Sequence, residues 1–459
     1  MDLNYDLDVF GQQPGLSNLY TQISCCFSVA DASSHTAIIN TLTNGLERLS
    51  ASFPWVAGQV VNEGSGEGNS GTFKIIPLER IPRLVVKDLR NDPSMPTMDA
   101  LRRANFPFSM LDESIVAPRN TLPGSPDGSP SPVFLLQATF ITGGLLLTFV
   151  AQHNVMDMTG QGQIIDLLSK SCCNEQFTSE ELSSGNLDRR NIIPLLDDSY
   201  KPGPELAHQM VKPTPSQTIS KDSNAHPESD PPSKCSWAYF TFPSHSLAAL
   251  KSLATIDATL ASGYISTDDA LSAFIWQSII RARQPRLKPT GEVTFARAID
   301  PRRYLDISPT YPGIVQNMTY HKRTVQKLVE DPLGAIASEL RLAVDPKTSN
   351  LGYQTRALAT FLDRILDKGN ASVTATINLS TDIMLSSWAK QDFYDLDFNL
   401  GLGKPEAVRR PRFTPVESLL YLMPKALDGE VAAALCLRDE DMERLRADEE
   451  CARYGRYIG

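Results

Sequence analysis

The stretch Ala151-Gln152-His153-Asn154-Val155-Met156-Asp157 stands between two kinds of periodicity, and its surroundings decide the fold. On its N-terminal side, residues 133–141 and 145–150 are apolar, β-rich runs joined by Thr142-Gly143-Gly144, which predicts a hairpin of two buried strands. On its C-terminal side, Ile164, Ile165, Leu167 and Leu168 recur at helical spacing behind Thr159 and Gly160, a candidate helix start. His153 is therefore expected where a central strand gives way to a helix-bearing loop, a place where a rigid scaffold steadies reactive side chains. An imidazole, with an unperturbed pKa of about 6.5, suits a general base near neutral pH. Asp157 is the candidate that orients it, either through the far ring nitrogen or by steadying the turn through a salt bridge elsewhere. The same spacing also arises by chance as a half-buried histidine beside a solvated aspartate, so spacing alone does not assign chemistry. The remaining histidines, His35, His208, His226, His245 and His321, lack this setting.

At 459 residues the chain exceeds what one hydrophobic core serves, so two domains are expected. Hydrophobic content of 41% and charged content of 21% describe an ordinary globular protein. A net charge of −10 provides no basic field for nucleic acid or an anionic membrane, while leaving room for a local basic patch that holds a phosphorylated cofactor. The seven cysteines, Cys25, Cys26, Cys172, Cys173, Cys235, Cys436 and Cys451, are odd in number, include two adjacent pairs and form no Cys-x-x-Cys. Reduced thiols and a cytoplasmic location are expected, with no metal centre. Neither a signal peptide nor a membrane span of about eighteen apolar residues is expected.

Residues 20–29 read as a strand and 36–49 as an amphipathic helix with Ile38, Ile39, Leu42, Leu46 and Leu49 on one side. Pro54 and Gly58 punctuate a turn into another strand, 62–71 is a hairpin loop, and 121–132 is Pro, Gly and Ser-rich and expected at the surface. The clearest break is 197–234, where polar residues replace the periodicity on both sides. It predicts an N-terminal domain over 1–196, a crossover over 197–235 and a C-terminal domain over 236–459. In the second half a strand over 236–242 and a helix over 244–254 precede Ser266-Thr267-Asp268-Asp269, which caps a helix carrying Ala270, Leu271, Phe274, Ile275, Ile279 and Ile280. Further strands are expected over 293–299, 373–378, 383–388, 418–423 and 431–437. The fold class is α/β, with α and β elements mixed in both halves.

Late in the chain, Ser386-Ser387-Trp388 is followed by Asp395-Leu396-Asp397-Phe398-Asn399-Leu400-Gly401-Leu402-Gly403-Lys404-Pro405. Gly401 and Gly403 lack the third glycine and the following helix of a dinucleotide fingerprint, and read as a structural turn. Together with His153 and Asp157, this segment resembles the BAHD acyltransferase superfamily, which carries His-x-x-x-Asp-Gly mid-chain and Asp-Phe-Gly-Trp-Gly near the C-terminus. Asp300-Pro301-Arg302 and the Ser266 to Arg283 segment agree, and the resemblance covers essentially the whole chain. Within the superfamily the chain is similar to fungal trichothecene 3-O-acetyltransferases, on Pro54-Trp55-Val56-Ala57-Gly58-Gln59-Val60, Asp157-Met158, Gln316-Asn317-Met318-Thr319-Tyr320-His321 and Gly401 to Pro405. Met158 stands where the wider family has glycine, and Asn399-Leu400 replace Gly-Trp; neither change removes a reacting group.

The resemblance implies two chloramphenicol-acetyltransferase-like domains, mixed sheets flanked by helices, and a channel between them. It implies a monomeric O-acetyltransferase whose partners are acetyl-coenzyme A, as co-substrate, and a small-molecule alcohol, a trichothecene-like terpenoid or an alkaloid of fungal secondary metabolism. His153 would deprotonate the hydroxyl as it attacks the thioester. Trp388 and Ser386 would donate to the oxyanion, although a tryptophan after an apolar strand also reads as core. Asp157 would hold the loop, and Asp397 would pair with Arg302. Ser266, Thr267, Arg409 and Arg410 are candidates for the coenzyme A phosphates, against helix capping for the first two and a solvated charge run for the arginines. No Gly-x-Ser-x-Gly elbow is present, which favours direct transfer over an acyl-enzyme. N-acyl or longer-chain transfer, or an inactive coenzyme A-binding relative, remain alternative readings.

Overall fold

The apolar run before His153 and its partners assemble as expected in a computed structural model, which describes residues 5–30, 35–124, 129–212, 234–256 and 263–459. The first half supplies β1 (Tyr5–Asp6), β2 (Tyr20–Ser28), β3 (Gly58–Glu63), β4 (Thr72–Pro77), β5 (Arg83–Asp88), β6 (Phe134–Ile141) and β7 (Gly144–Gln152). The second supplies β8 (Cys235–Phe242), β9 (Glu292–Ile299), β10 (Asn317–Thr324), β11 (Ile383–Ser387), β12 (Ala407–Arg409), β13 (Leu419–Leu422), β14 (Val431–Arg438) and β15 (Arg456–Tyr457).

Three sheets result. A small one runs β1-β4-β3, a five-stranded one β12-β2-β7-β6-β5, and a seven-stranded one β10-β9-β11-β13-β14-β8-β15. Gly143, at a φ of 77°, turns β6 into β7, and that hairpin pairs antiparallel from Phe134↔Ala151 to Ile141↔Gly144. β7 also pairs with β2, placing Tyr20 opposite Gln152 at the end nearest His153. β12 comes from the second half yet adds to the first-half sheet, with Val408 opposite Cys25. In the large sheet β11 runs parallel to both β9 and β13, and the other pairings are antiparallel.

Burial follows the two periodicities. Ile38, Leu42, Leu46 and Leu49 of the His35–Ser52 helix, with Ile164, Ile165, Leu167 and Leu168 of the Met158–Cys172 helix, pack on Ile23, Cys25, Phe27, Leu147 and Phe149. Each such buried side chain contributes about 1.5–3 kcal/mol. This core continues into the second half through Trp237, Tyr239, Trp388, Tyr421 and Ala434. The alternate residues of the same strands, such as Phe240, Phe242, Leu420 and Leu422, face a second core against the Thr267–Arg283 helix. On β11, Ile383 and Leu385 belong to that second core, and Ser387 on the same face donates to Asp268, 2.5 Å away. Ser386 therefore points back toward the first half.

One expectation changes. Residues 373–378 form turns rather than a strand, because this segment lies against residues 208–211 through single contacts such as Ser372 N–H to the Gln209 carbonyl, 2.8 Å, and has no neighbouring strand. Of the crossover, 197–212 packs on the second half, with Leu206 buried beside Tyr311 and Leu358, and Arg364 donating to the Asp197 and Tyr200 carbonyls. Residues 213–233 of the crossover and 125–128 of the expected surface loop lie outside the described residues.

Candidate active site

His153 occupies the turn that leaves β7, and its backbone N–H donates to the Leu19 carbonyl at 2.8 Å, fixing the turn to the start of β2. Its Nδ1 lies 3.2 Å from the Met156 carbonyl oxygen. A carbonyl only accepts, so in the neutral ring Nδ1 carries the proton and Nε2 keeps a free lone pair. Burial pushes the His153 pKa below its ordinary value; the Met156 contact and the Asp157 charge pull upward, and the Arg410 charge adds to the lowering.

Asp157 does not touch the imidazole. It caps the Met158–Cys172 helix, its Oδ1 accepting from the Gly160 N–H at 2.8 Å. The same carboxylate accepts from Arg302, 3.0 Å at Oδ2, and from the Val315 N–H at 2.8 Å. Of the two ways in which it was expected to act, it thus uses the salt bridge. Burial pushes the Asp157 carboxyl up, against the pull of Arg302. Burial opposes the Arg302 charge as well, but Asp157 and Asp300 outweigh it and hold the guanidinium above its ordinary value. Arg302 also donates to the Gly313 carbonyl at 2.7 Å, so this pair stitches the helix start to the loop after β9.

The pairing of Asp397 with Arg302 is corrected. Arg302 is taken by Asp157 and Asp300, whereas Asp397 is exposed and its carboxylate accepts from the nearby Asn399 N–H at 2.9 Å. The Asp397 carbonyl, not its side chain, receives the Ser169 hydroxyl at 3.0 Å and so ties the late motif to the far end of the Met158–Cys172 helix. Asp397→Ala is accordingly expected to change unfolding free energy by about 0.5 kcal/mol or less, read from the denaturant midpoint.

Trp388 is buried against Tyr421, ring centroids 4.8 Å apart, and its Nε1–H donates to the Ser386 hydroxyl at 3.0 Å. Both candidates line a cleft with Asp157, Thr159, Asp300 and Gln316. Ser266 caps the Thr267–Arg283 helix in a reciprocal box with Asp269, as its capping reading expected. With Thr267 it also lines a separate groove beside Lys251, Lys390 and Lys425. These lysines were not singled out in the sequence, since they lie on distant segments and carry no local pattern. For Arg409 and Arg410 the reading as a solvated charge run is corrected, since both side chains are buried. Arg409 ends β12, which adds to the edge of the first-half sheet, and spends its donors on the Asn105, Phe106 and Val408 carbonyls, while Arg410 follows it.

Gly160 was read only as a helix start. A Cβ there would stand 2.1 Å from the Pro312 carbonyl oxygen, and one at Gly162 2.3 Å from Gln391 Oε1. Their bareness lets the second half close onto the helix that follows His153. Among the described residues, no group of three or more His, Cys, Asp or Glu side chains is placed to hold a metal ion. No described helix is long and apolar enough to cross a membrane.

Residues 116–452 match the Transferase family, and residues 19–172 match the trichothecene 3-O-acetyltransferase-like N-terminal domain. The chain belongs to this family of BAHD transferases and is an acyltransferase. It is 59% identical to O-acetyltransferase dmxR13 of Cryptosporiopsis sp. over 100% of this chain and 98% of the relative. It is 54% identical to the trichothecene 3-O-acetyltransferase TRI101 of Fusarium sporotrichioides, covering 99% and 97%. The crystal structure of F. graminearum TRI101 complexed with coenzyme A and deoxynivalenol superposes with a TM-score of 0.93 at 50% identity, covering 99% of this chain and 100% of that one.

Proposed function

We propose that the chain transfers acetyl from acetyl-coenzyme A to a hydroxyl of a fungal secondary metabolite of the trichothecene-like kind, with His153 as general base. The observation that carries this reading is the Nδ1 contact with the Met156 carbonyl, which leaves Nε2 as an unprotonated acceptor on the short turn that leads to Asp157 of the cleft wall. Nε2 takes the hydroxyl proton while the oxygen attacks the thioester carbonyl. The oxyanion that forms is met by the Ser386 hydroxyl, whose oxygen accepts the Trp388 Nε1–H and so turns its own proton outward; Trp388 acts by orienting it, and both line the cleft. Collapse expels the coenzyme A thiolate, which takes the proton from the imidazolium, and the ester remains. Asp157 and Arg302 act by holding the His153 loop and the helix start against the second half.

The three lysines beside Ser266 and Thr267 supply the positive charge that coenzyme A phosphates require, in a groove separate from the cleft. Lys425→Glu should raise the KM for acetyl-coenzyme A by about tenfold, equivalent to ~1.4 kcal/mol, and leave the KM for the alcohol near its starting value. The reading as a whole is tested by thiol release from acetyl-coenzyme A with a panel of alcohols that includes deoxynivalenol, checked by a mass gain of one acetyl group. Transfer only to amines, or only from longer acyl thioesters, would replace the O-acetyl assignment. Coenzyme A binding with no transfer to any acceptor would make the chain a binder.

A further inference from the structure

Among the described residues seven arginines are buried: Arg189, Arg283, Arg297, Arg302, Arg341, Arg409 and Arg410. The first five form ion pairs with Asp8, Asp441, Asp268 and Asp269, Asp157 and Asp300, and Asp269 respectively. Arg409 is satisfied by carbonyl oxygens. Arg410 has neither kind of acceptor among the described residues. Its side chain makes one long hydrogen bond, from Nη2 to the Thr121 hydroxyl at 3.5 Å, and its Nε has no partner. The residue is only 2% exposed.

Burying a cation without a counter-charge is expensive, and a protein keeps such an arrangement only if the surroundings hold it in place. Here they do. The guanidinium sits among three aromatic rings, 4.4 Å from the Phe413 centroid, 4.5 Å from Tyr421 and 5.4 Å from Trp388. The Tyr239 hydroxyl clasps its backbone twice, accepting from the Arg410 N–H at 2.8 Å and donating to its carbonyl at 3.0 Å. Trp388 is the cleft residue described above. On the other side Thr121 accepts the Tyr20 N–H at its carbonyl, 2.9 Å, and the adjacent Leu19 carbonyl receives the His153 N–H. The unpaired charge is thus fastened between the cleft wall and the turn that carries the base.

The charges around His153 come from four segments. Asp157 on its own loop is neutralised by Arg302, which Asp300 also pairs. Glu113 accepts from the Thr121 N–H at 2.7 Å and from Gln22 at 2.8 Å, so it meets Arg410 only across Thr121. Arg410 is left as the charge with no direct partner. We propose that Arg410 is a positioning residue whose guanidinium, held without a direct counter-ion, repels a proton from the imidazole and helps burial hold His153 in its base form. The inference rests on the assignment of His153 as the base.

The test is an NMR titration of protein labelled at its six histidines, with the His153 signal identified by its loss in His153→Ala. In Arg410→Met the His153 midpoint should rise by about half a pH unit or more, because a repelling charge has gone. Arg410→Lys, which keeps the charge, should stay close to the parent. Glu113→Gln removes a charge that offsets Arg410 and should move the midpoint the opposite way, which keeps the test decisive if Arg410→Met does not fold. A midpoint that stays put in any folded charge-removing variant overturns the proposal. The acid limb of kcat/KM should move with the midpoint. A shifted midpoint in protein that transfers no acetyl group would count against the acetyl-transfer reading and leave the electrostatic one standing.

Discussion

His153→Ala is expected to lower kcat by about a thousandfold or more, while circular dichroism and the thermal midpoint stay close to the parent. The ring makes one side-chain hydrogen bond, to Met156, and the turn that carries it is held by backbone contacts the substitution leaves intact. Loss of the imidazole therefore removes the proton acceptor without removing the scaffold. His153→Gln sharpens the result: glutamine can still donate toward the Met156 carbonyl but is no base at neutral pH, so it should be nearly as inactive. Substantial turnover in either variant would show that the alcohol loses its proton elsewhere.

The second large effect belongs to stability. Asp157→Ala should destabilise the fold by about 3 kcal/mol, because it takes from Arg302 the buried one of its two carboxylates, leaving only the more exposed Asp300, and also removes a helix cap. Arg302→Met should cost a similar amount by stranding the carboxylate. Denaturant midpoints of the two single variants and the pair together would separate the contributions. The double variant should lose less than the sum of the singles, since neither partner is then left charged and alone. An additive result would mean that the salt bridge does not link the helix start to the loop after β9. Asp157→Asn should recover part of the loss, as the amide oxygen can still accept from the Gly160 N–H.

The strands around His153 and the helix after it were legible because their periods differ and because Thr142-Gly143-Gly144 marks the turn between β6 and β7. The helix capped by Ser266 was legible for the same kind of reason, a local signature at fixed spacing. What escaped were contacts made across hundreds of residues. Asp397 was assigned to Arg302 because both belong to motifs, and sequence offers no measure of which carboxylate comes nearer; Asp157 does. Arg409 and Arg410 look like a surface charge run, and only the pairing of Arg409 beside β2 and the packing of Arg410 among Phe413, Tyr421 and Trp388 bury them. The role of Gly160 depends on the approach of Pro312, and the groove lysines depend on three separate elements meeting. Residues 373–378 have strand-like composition but find no neighbour to pair with.

The late addition of β12 to the edge of the first-half sheet also bears on how the molecule is made. Ser24, Cys25 and Cys26 of β2 find their outer partners in Ala407, Val408 and Arg409, nearly four hundred residues later. During synthesis the first-half sheet therefore emerges with an open edge, and the apolar surface meant for Trp237, Tyr239 and Trp388 stays uncovered for most of translation. A chain interrupted before residue 407 would present an unpaired strand edge to its neighbours, so the early half is guarded against self-association only once the late strand has been delivered.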